Sequence, residues 1–211
     1  LIATSCNFLS AQTSKGKFLI GELSYIEFYG NGIMSSTNLG YSTFQNKSDG
    51  GNDDSKDKAF LLNILPRAGY FVIDNLAIGL AVLLATERGK SGDFDQTYKS
   101  TSFAVGPFVR YYLPTKKVLP FAEVNYSMGS RKGKTEYDGS EYTHNYAIKL
   151  YGAGLGVAVP IGEKVSFDAV AGYHVYVNKD KEDNDDNDRL VASTIGLKLG
   201  FTVFLGSIKD K

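Results

Sequence analysis

A chain that must accommodate Phe60 to Ala85, FLLNILPRAGYFVIDNLAIGLAVLLA, has few architectures open to it. Leu76, Ile78, Leu80, Val82 and Leu84 alternate with Ala77, Gly79, Ala81, Leu83 and Ala85, so a strand built from them carries large apolar groups on one face and mostly small ones on the other. Upstream, Leu62, Ile64, Pro66, Ala68, Tyr70 and Val72 share one parity, while Asn63, Arg67 and Gly69 share the other. The two segments therefore read as a hairpin. A three-residue loop, Ile73 to Asn75, sets Val72 opposite Leu76 and Tyr70 opposite Ile78 and makes the apolar faces coincide; a two-residue Asp-Asn turn sets Arg67 beside Val82 on the apolar face and is rejected. A buried helix competes for LAIGLAVLLA alone, but Pro66, Gly69, Gly79 and the intervening turn residues speak against it.

No stretch approaches the ~18 to 20 apolar residues of a membrane-spanning helix. A face this apolar on single strands then implies a closed barrel, the other structure that satisfies its backbone in lipid. Composition agrees: 23 Gly, 14 Tyr and 13 Phe against 5 Pro favour strands with aromatic faces. At 211 residues one domain is expected, and 23 basic against 23 acidic side chains give no electrostatic case for nucleic acid. Residues 1–12, LIATSCNFLSAQ, read as the back half of a secretory signal ahead of a barrel domain at 13–211, with Ala11 the small residue at the cleavage point and Gln12 the new N-terminus. A lipoprotein reading would acylate Cys6, although Ala-Thr-Ser is a poor lead-in.

The remaining strands follow in order. Lys17 to Tyr29 alternates weakly, with Leu19, Leu23 and Tyr25 on one face and Phe18, Ile20, Glu22 and Ser24 on the other. Residues 30–58 read as a large exposed loop in which LGYSTF adds a short strand. Next come Ser102 to Leu113, Leu119 to Gly129, His144 to Ile161, Val165 to Asn178 and Leu190 to Leu205, each alternating. In His144 to Ile161, Lys149 falls on the apolar face, which a bulge near Leu150 or a position above the membrane would explain. About eight strands result, joined by loops that alternate long and short. Long polar loops at one end and short turns at the other are the asymmetry of an outer-membrane barrel.

These features resemble the small OmpA/OmpX-like outer-membrane β-barrels, the broad outer membrane protein beta-barrel domain family. The resemblance is carried by KGKFLIGELS, GYFVIDNLAIGL, VGPFVRYYLP and the closing strand TIGLKLGFTVFL. Thr194, Gly196, Leu199 and Phe201 are similar to the signal such chains present to the barrel-assembly machinery, although Gly206 to Lys211 follow where many members stop on an aromatic residue. The resemblance implies an all-β, closed antiparallel transmembrane barrel in the bacterial outer membrane, monomeric, in contact with outer-membrane lipid and lipopolysaccharide.

A barrel of about eight strands is filled by its own side chains. The inward set is expected to be Glu22, Arg67, Arg110, Glu123, Asp168 and Lys198, pairing with one another because an unpaired buried charge is costly. His174 and Tyr176 are candidate contacts for a ligand or ion. Some small outer-membrane barrels modify lipid A, but neither His144 nor His174 has the serine two residues on that deacylase relatives carry, so no catalytic residue is assigned. Asp180 to Asp188, DKEDNDDND, lacks EF-hand spacing and reads as a solvated loop, as do Asp53, Asp54 and Asp57; no metal or cofactor is expected. Tyr25, Tyr70, Tyr111, Tyr126, Tyr151 and Tyr173 suit the membrane interfaces. The expected function is non-enzymatic, structural or surface-interacting; a porin-like or small-ligand-binding barrel is the alternative, and a lipid A-modifying enzyme comes third.

Overall fold

The computed structural model describes residues 12–26, 38–46, 55–91, 96–115, 117–182 and 187–206. Ten strands follow one another: β1 (Phe18–Ile26), β2 (Asn38–Asn46), β3 (Ser55–Ile64), β4 (Pro66–Ile73), β5 (Leu76–Lys90), β6 (Thr97–Tyr112), β7 (Leu119–Tyr137), β8 (Ser140–Pro160), β9 (Val165–Asp180) and β10 (Arg189–Leu205). Every pairing is antiparallel. The order β5-β4-β1-β10-β9-β8-β7-β6 returns to β5, closing a ring of eight strand positions. First and last strands meet from Phe18–Leu205 to Ile26–Leu197. β3 and β4 are successive parts of one strand interrupted at Leu65: β4 pairs with the inner half of β5 and β3 with its outer half, where β2 adds a further strand. The signal-peptide and Cys6 readings for residues 1–11, Asp53, Asp54 and residues 183–186 of the acidic run lie outside the described residues.

The Phe60 to Ala85 hairpin forms with the expected faces, and Tyr70 stands opposite Ile78. Its turn corrects the three-residue expectation. Asp74 and Asn75 make the turn, Ile73 faces Leu76, and a register shift between Phe71 and Ile73 restores the pairing. Arg67 consequently faces Ala81, so the bulge removes the clash that disfavoured a two-residue turn. Asn75 takes a φ of 67°, which Asn tolerates better than most residues.

Where the structure describes them, the polar connections expected as loops are largely strand. β2 and the start of β3 lie within 30–58, β5 continues to Lys90, and β7 and β8 run to a tight turn at Asp138-Gly139, with φ of 48° and 72°. A strand continued beyond lipid is wetted on both faces, so it keeps its backbone ladder while losing the apolar alternation that marks strands in sequence. In β8 the pairing runs without a shift from Leu119–Ala158 to Tyr137–Ser140, which excludes a bulge near Leu150. Lys149 stays outward, one step beyond the Tyr126–Tyr151 pair, whose rings stack 6.4 Å apart.

Inside, side chains form layers. Nearest the short turns lies an aromatic and aliphatic plug of Leu19, Phe71, Tyr112, Leu119, Phe121 and Phe204. Phe121 and Phe204 put their ring centroids 5.4 and 6.2 Å from that of Tyr112. Toward the outer end a second apolar cluster gathers Leu83, Ala104 and Ile148, with Leu65, Leu150 and Tyr176 against it. Residues 12–17 fasten the short-turn end. Gln12 Nε2 donates to the Glu163 carbonyl (2.8 Å), Thr13 Oγ1 to Asn75 Oδ1 (2.6 Å), and the Lys15 amide to Asp74 Oδ1 (2.7 Å).

Candidate functional site: the interior charge cluster

Between the apolar layers lies the one concentration of buried charge among the described residues. Strand parity places it: Arg67 on β4, Arg110 on β6, Glu123 on β7, Asp168 on β9 and Lys198 on β10 all point inward, each flanked along its strand by outward apolar residues. Arg110 and Asp168 have no solvent exposure.

Glu123 is the hub. Arg67 Nη1 donates to both its carboxylate oxygens, at 2.9 and 2.8 Å, and Arg110 Nε donates to Oε2 at 2.7 Å. Arg110 Nη1 reaches on to Asp168 Oδ2 (2.5 Å) and to the Tyr112 hydroxyl (3.0 Å). Asp168 is completed by Thr202 Oγ1 (2.8 Å) and Ser166 Oγ (2.7 Å). The guanidiniums also lie over rings: Arg110 Cζ is 3.9 Å from the Phe121 centroid and Arg67 Cζ 5.1 Å from that of Phe108. Charge-assisted bonds of this length, held by packed aromatics, meet the requirement that buried ions be paired and oriented.

The small residues of β4 and β5 make room for this arrangement. Gly69 faces Gly79, and the Phe108 ring lies over the pair so closely that a Cβ at Gly79 would stand 2.6 Å from Phe108 Cε1. The inward small face therefore receives a ring from the next strand, and that ring supports Arg67.

Five of the six expected inward charges occupy the interior. Arg67, Arg110, Glu123 and Asp168 form one connected unit, and Lys198 Nζ lies 3.4 Å from His174 Nδ1 beside it. Glu22 is the exception and corrects the expectation. It pairs in register with Pro66 and Phe201, both outward, and shares its parity with Phe18 and the exposed Ile20. In that strand Leu19 turns inward, so the apolar pair Phe18 and Ile20 sets the outward face, with Glu22 on it. His174 stands beside Gly152, where a side chain would collide with its ring, while Tyr176 packs in the outer apolar cluster. His144 is exposed, with its ring 6.3 Å from that of Tyr146. Among the described residues no three His, Cys, Asp or Glu side chains are arranged to hold a metal ion.

Sequence reasoning missed Tyr112, Ser166 and Thr202 as partners of the charges. A signal existed: Tyr112 and Ser166 sit two residues from Arg110 and Asp168, and Thr202 has the parity of Lys198.

Comparison with known proteins follows this geometry. The sequence profile of the outer membrane protein beta-barrel domain matches residues 18–202. Among solved structures, the crystal structure of Neisserial surface protein A (NspA) is similar at 18% identity and a TM-score of 0.40, covering 90% of this chain and 97% of that one. A search of curated proteins finds no match.

Proposed function

Since the chain belongs to the outer membrane protein beta-barrel domain family, whose members are bacterial outer-membrane barrels, we propose that it is a non-enzymatic envelope protein, a rigid anchor whose outer strands and loops meet the cell's surroundings. The observation that carries this reading is the filled interior. An aromatic plug, an ion-paired layer and a second apolar layer follow one another along the barrel axis, an arrangement suited to rigidity and ill suited to passing solute. The barrel reconstituted in planar bilayers is expected to show no discrete conductance steps, and liposomes containing it no sugar-driven swelling. Reproducible single-channel steps from the purified protein would favour the porin-like alternative. Lipid A from cells expressing the chain is expected to keep its acylation and phosphorylation; altered lipid A lost on His174→Ala would make the protein an enzyme.

A further inference from the structure

Arg67 brings more hydrogen-bond donors into the interior than its protein partners take up. Nη1 is engaged by Glu123, whereas Nε and Nη2, both buried, meet no protein acceptor within hydrogen-bond distance. In a planar guanidinium the N–H bond of Nε and one of those of Nη2 run parallel, on the edge opposite Nη1. The two unmet nitrogens of Arg67 are therefore a single fork, the kind that grips an oxyanion or a halide, and it faces away from Glu123. With 7% of Arg67 exposed, open solvent is not its partner.

The rest of the layer is placed differently. Asp168 accepts from Arg110, Thr202 and Ser166. Arg110 also has one nitrogen without an acceptor, Nη2, but its other two bond Glu123, Asp168 and Tyr112, and its guanidinium lies over Phe121. Nor does the wall beside Arg67 complete its fork. Arg67 stands in register between Gly21 and Ala81, and Ala81 faces Gly106. Nothing larger than a methyl group projects from these positions, so the flanking strands supply neither bulk nor a side-chain acceptor.

Charge decides between a water and an ion. Arg67, Arg110 and Lys198 against Glu123 and Asp168 give the layer a formal +1, enclosed between the aromatic plug and the outer apolar cluster. A water would occupy the fork and leave that excess, which is costly in a buried layer. An anion satisfies the donors and the charge together. We propose that the fork of Arg67 binds one small monovalent inorganic anion, of the size and charge of chloride, which brings the interior layer to neutrality. The apolar layers on either side close the lumen, so the ion is taken up as the barrel folds.

The test refolds the full chain in a neutral detergent, exchanging sodium chloride for sodium gluconate at constant ionic strength, and reads the urea midpoint; gluconate is too large for a packed interior. Once chloride exceeds its dissociation constant, each further tenfold rise is expected to raise the folded-to-unfolded ratio about tenfold, about 1.4 kcal/mol. Crystals grown in bromide are expected to show an anomalous peak within reach of Arg67 Nε and Nη2. Arg67→Lys keeps the charge without the fork and is expected to lose the chloride dependence, whereas Lys15→Gln/Lys117→Gln/Lys164→Gln, at the short-turn end, is expected to retain it. A parent midpoint indifferent to chloride overturns the proposal, as does a folded Arg67→Lys that follows chloride as the parent does. Bromide confined to the surface, with water on the fork, overturns it as well, and that observation needs no variant.

Discussion

Replacing Glu123 by Gln keeps the shape of the interior and removes the charge that two guanidiniums share. Three of the cluster's hydrogen bonds end on this carboxylate, at 2.7 to 2.9 Å, and all three come from cations that are almost fully buried. Counting Arg67, Arg110 and Lys198 against Glu123 and Asp168, the formal charge of the layer rises from +1 to +2 (three cations, then one carboxylate in place of two). Breaking a buried pair from one side costs about 3 to 5 kcal/mol, because the abandoned ion keeps its desolvation penalty. Arg110 retains Asp168 and Tyr112, so most of the cost falls on Arg67, whose only bonded nitrogen in the cluster, Nη1, loses its carboxylate. The assay is urea unfolding of the barrel in detergent, read by heat-dependent gel mobility and by circular dichroism. A loss of this size moves the midpoint down by about 1 to 2 M. Arg67→Met in the Glu123→Gln background is expected to recover about 1 to 2 kcal/mol of it, since the unmatched charge leaves with the arginine. A Glu123→Gln midpoint within error of the parent would refute the reasoning, showing that water reaches these groups and screens them.

Gly79→Val is expected to lower stability by about 1 to 3 kcal/mol or to prevent refolding, because the new side chain meets the Ala68 carbonyl and the Phe108 ring; refolding yield and urea midpoint report it, and parental values would mean that the ring moves aside freely. Asn75→Val is expected to cost about 1 to 2 kcal/mol, since a β-branched residue must take the φ of 67°, whereas Asn75→Gly keeps the turn and loses only the bond from Thr13; thermal unfolding separates the two, and equal losses would contradict the turn geometry. The Glu141 carboxyl, engaged by Lys134 at 2.6 Å, is expected to titrate below the usual range by carboxyl-carbon NMR and to move back toward it in Lys134→Gln. The Lys134 pair is thus complete above the ordinary carboxylate range and lost as pH falls through the depressed value; an unmoved midpoint in Lys134→Gln would assign the shift elsewhere.

What the sequence revealed follows from what lipid demands. Wherever a strand crosses the apolar layer, one face must be greasy, so parity alone placed Arg67, Arg110, Glu123, Asp168 and Lys198 inside before any contact was known. Where that demand weakens, the reading weakened with it. Glu22 lies on a strand whose two faces are both partly apolar, and charge was a poorer guide than Phe18 and Ile20. On the outer halves of β2, β3, β5, β7 and β8 the apolar alternation fades, and a sequence with polar residues at both parities looks like loop. The bulge near Val72 was hidden for a different reason: a two-residue turn with one inserted residue gives the same register from Phe71 back to Arg67 as a three-residue turn, so alternation cannot distinguish the two.

The ion-paired layer bears on how such a sheet finds its alignment. Slipping a strand by one residue turns its greasy face inward and is forbidden outright, but slipping it by two restores the alternation, and the membrane cannot tell the difference. The interior can. A two-residue slide carries a side chain about 7 Å along the strand, farther than any bond in the cluster, so displacing β7 would strip Glu123 from both arginines at once. Because β4, β6, β7, β9 and β10 all contribute to it, the cluster acts as a combination lock on the stagger of five strands, opening only when every one is in place.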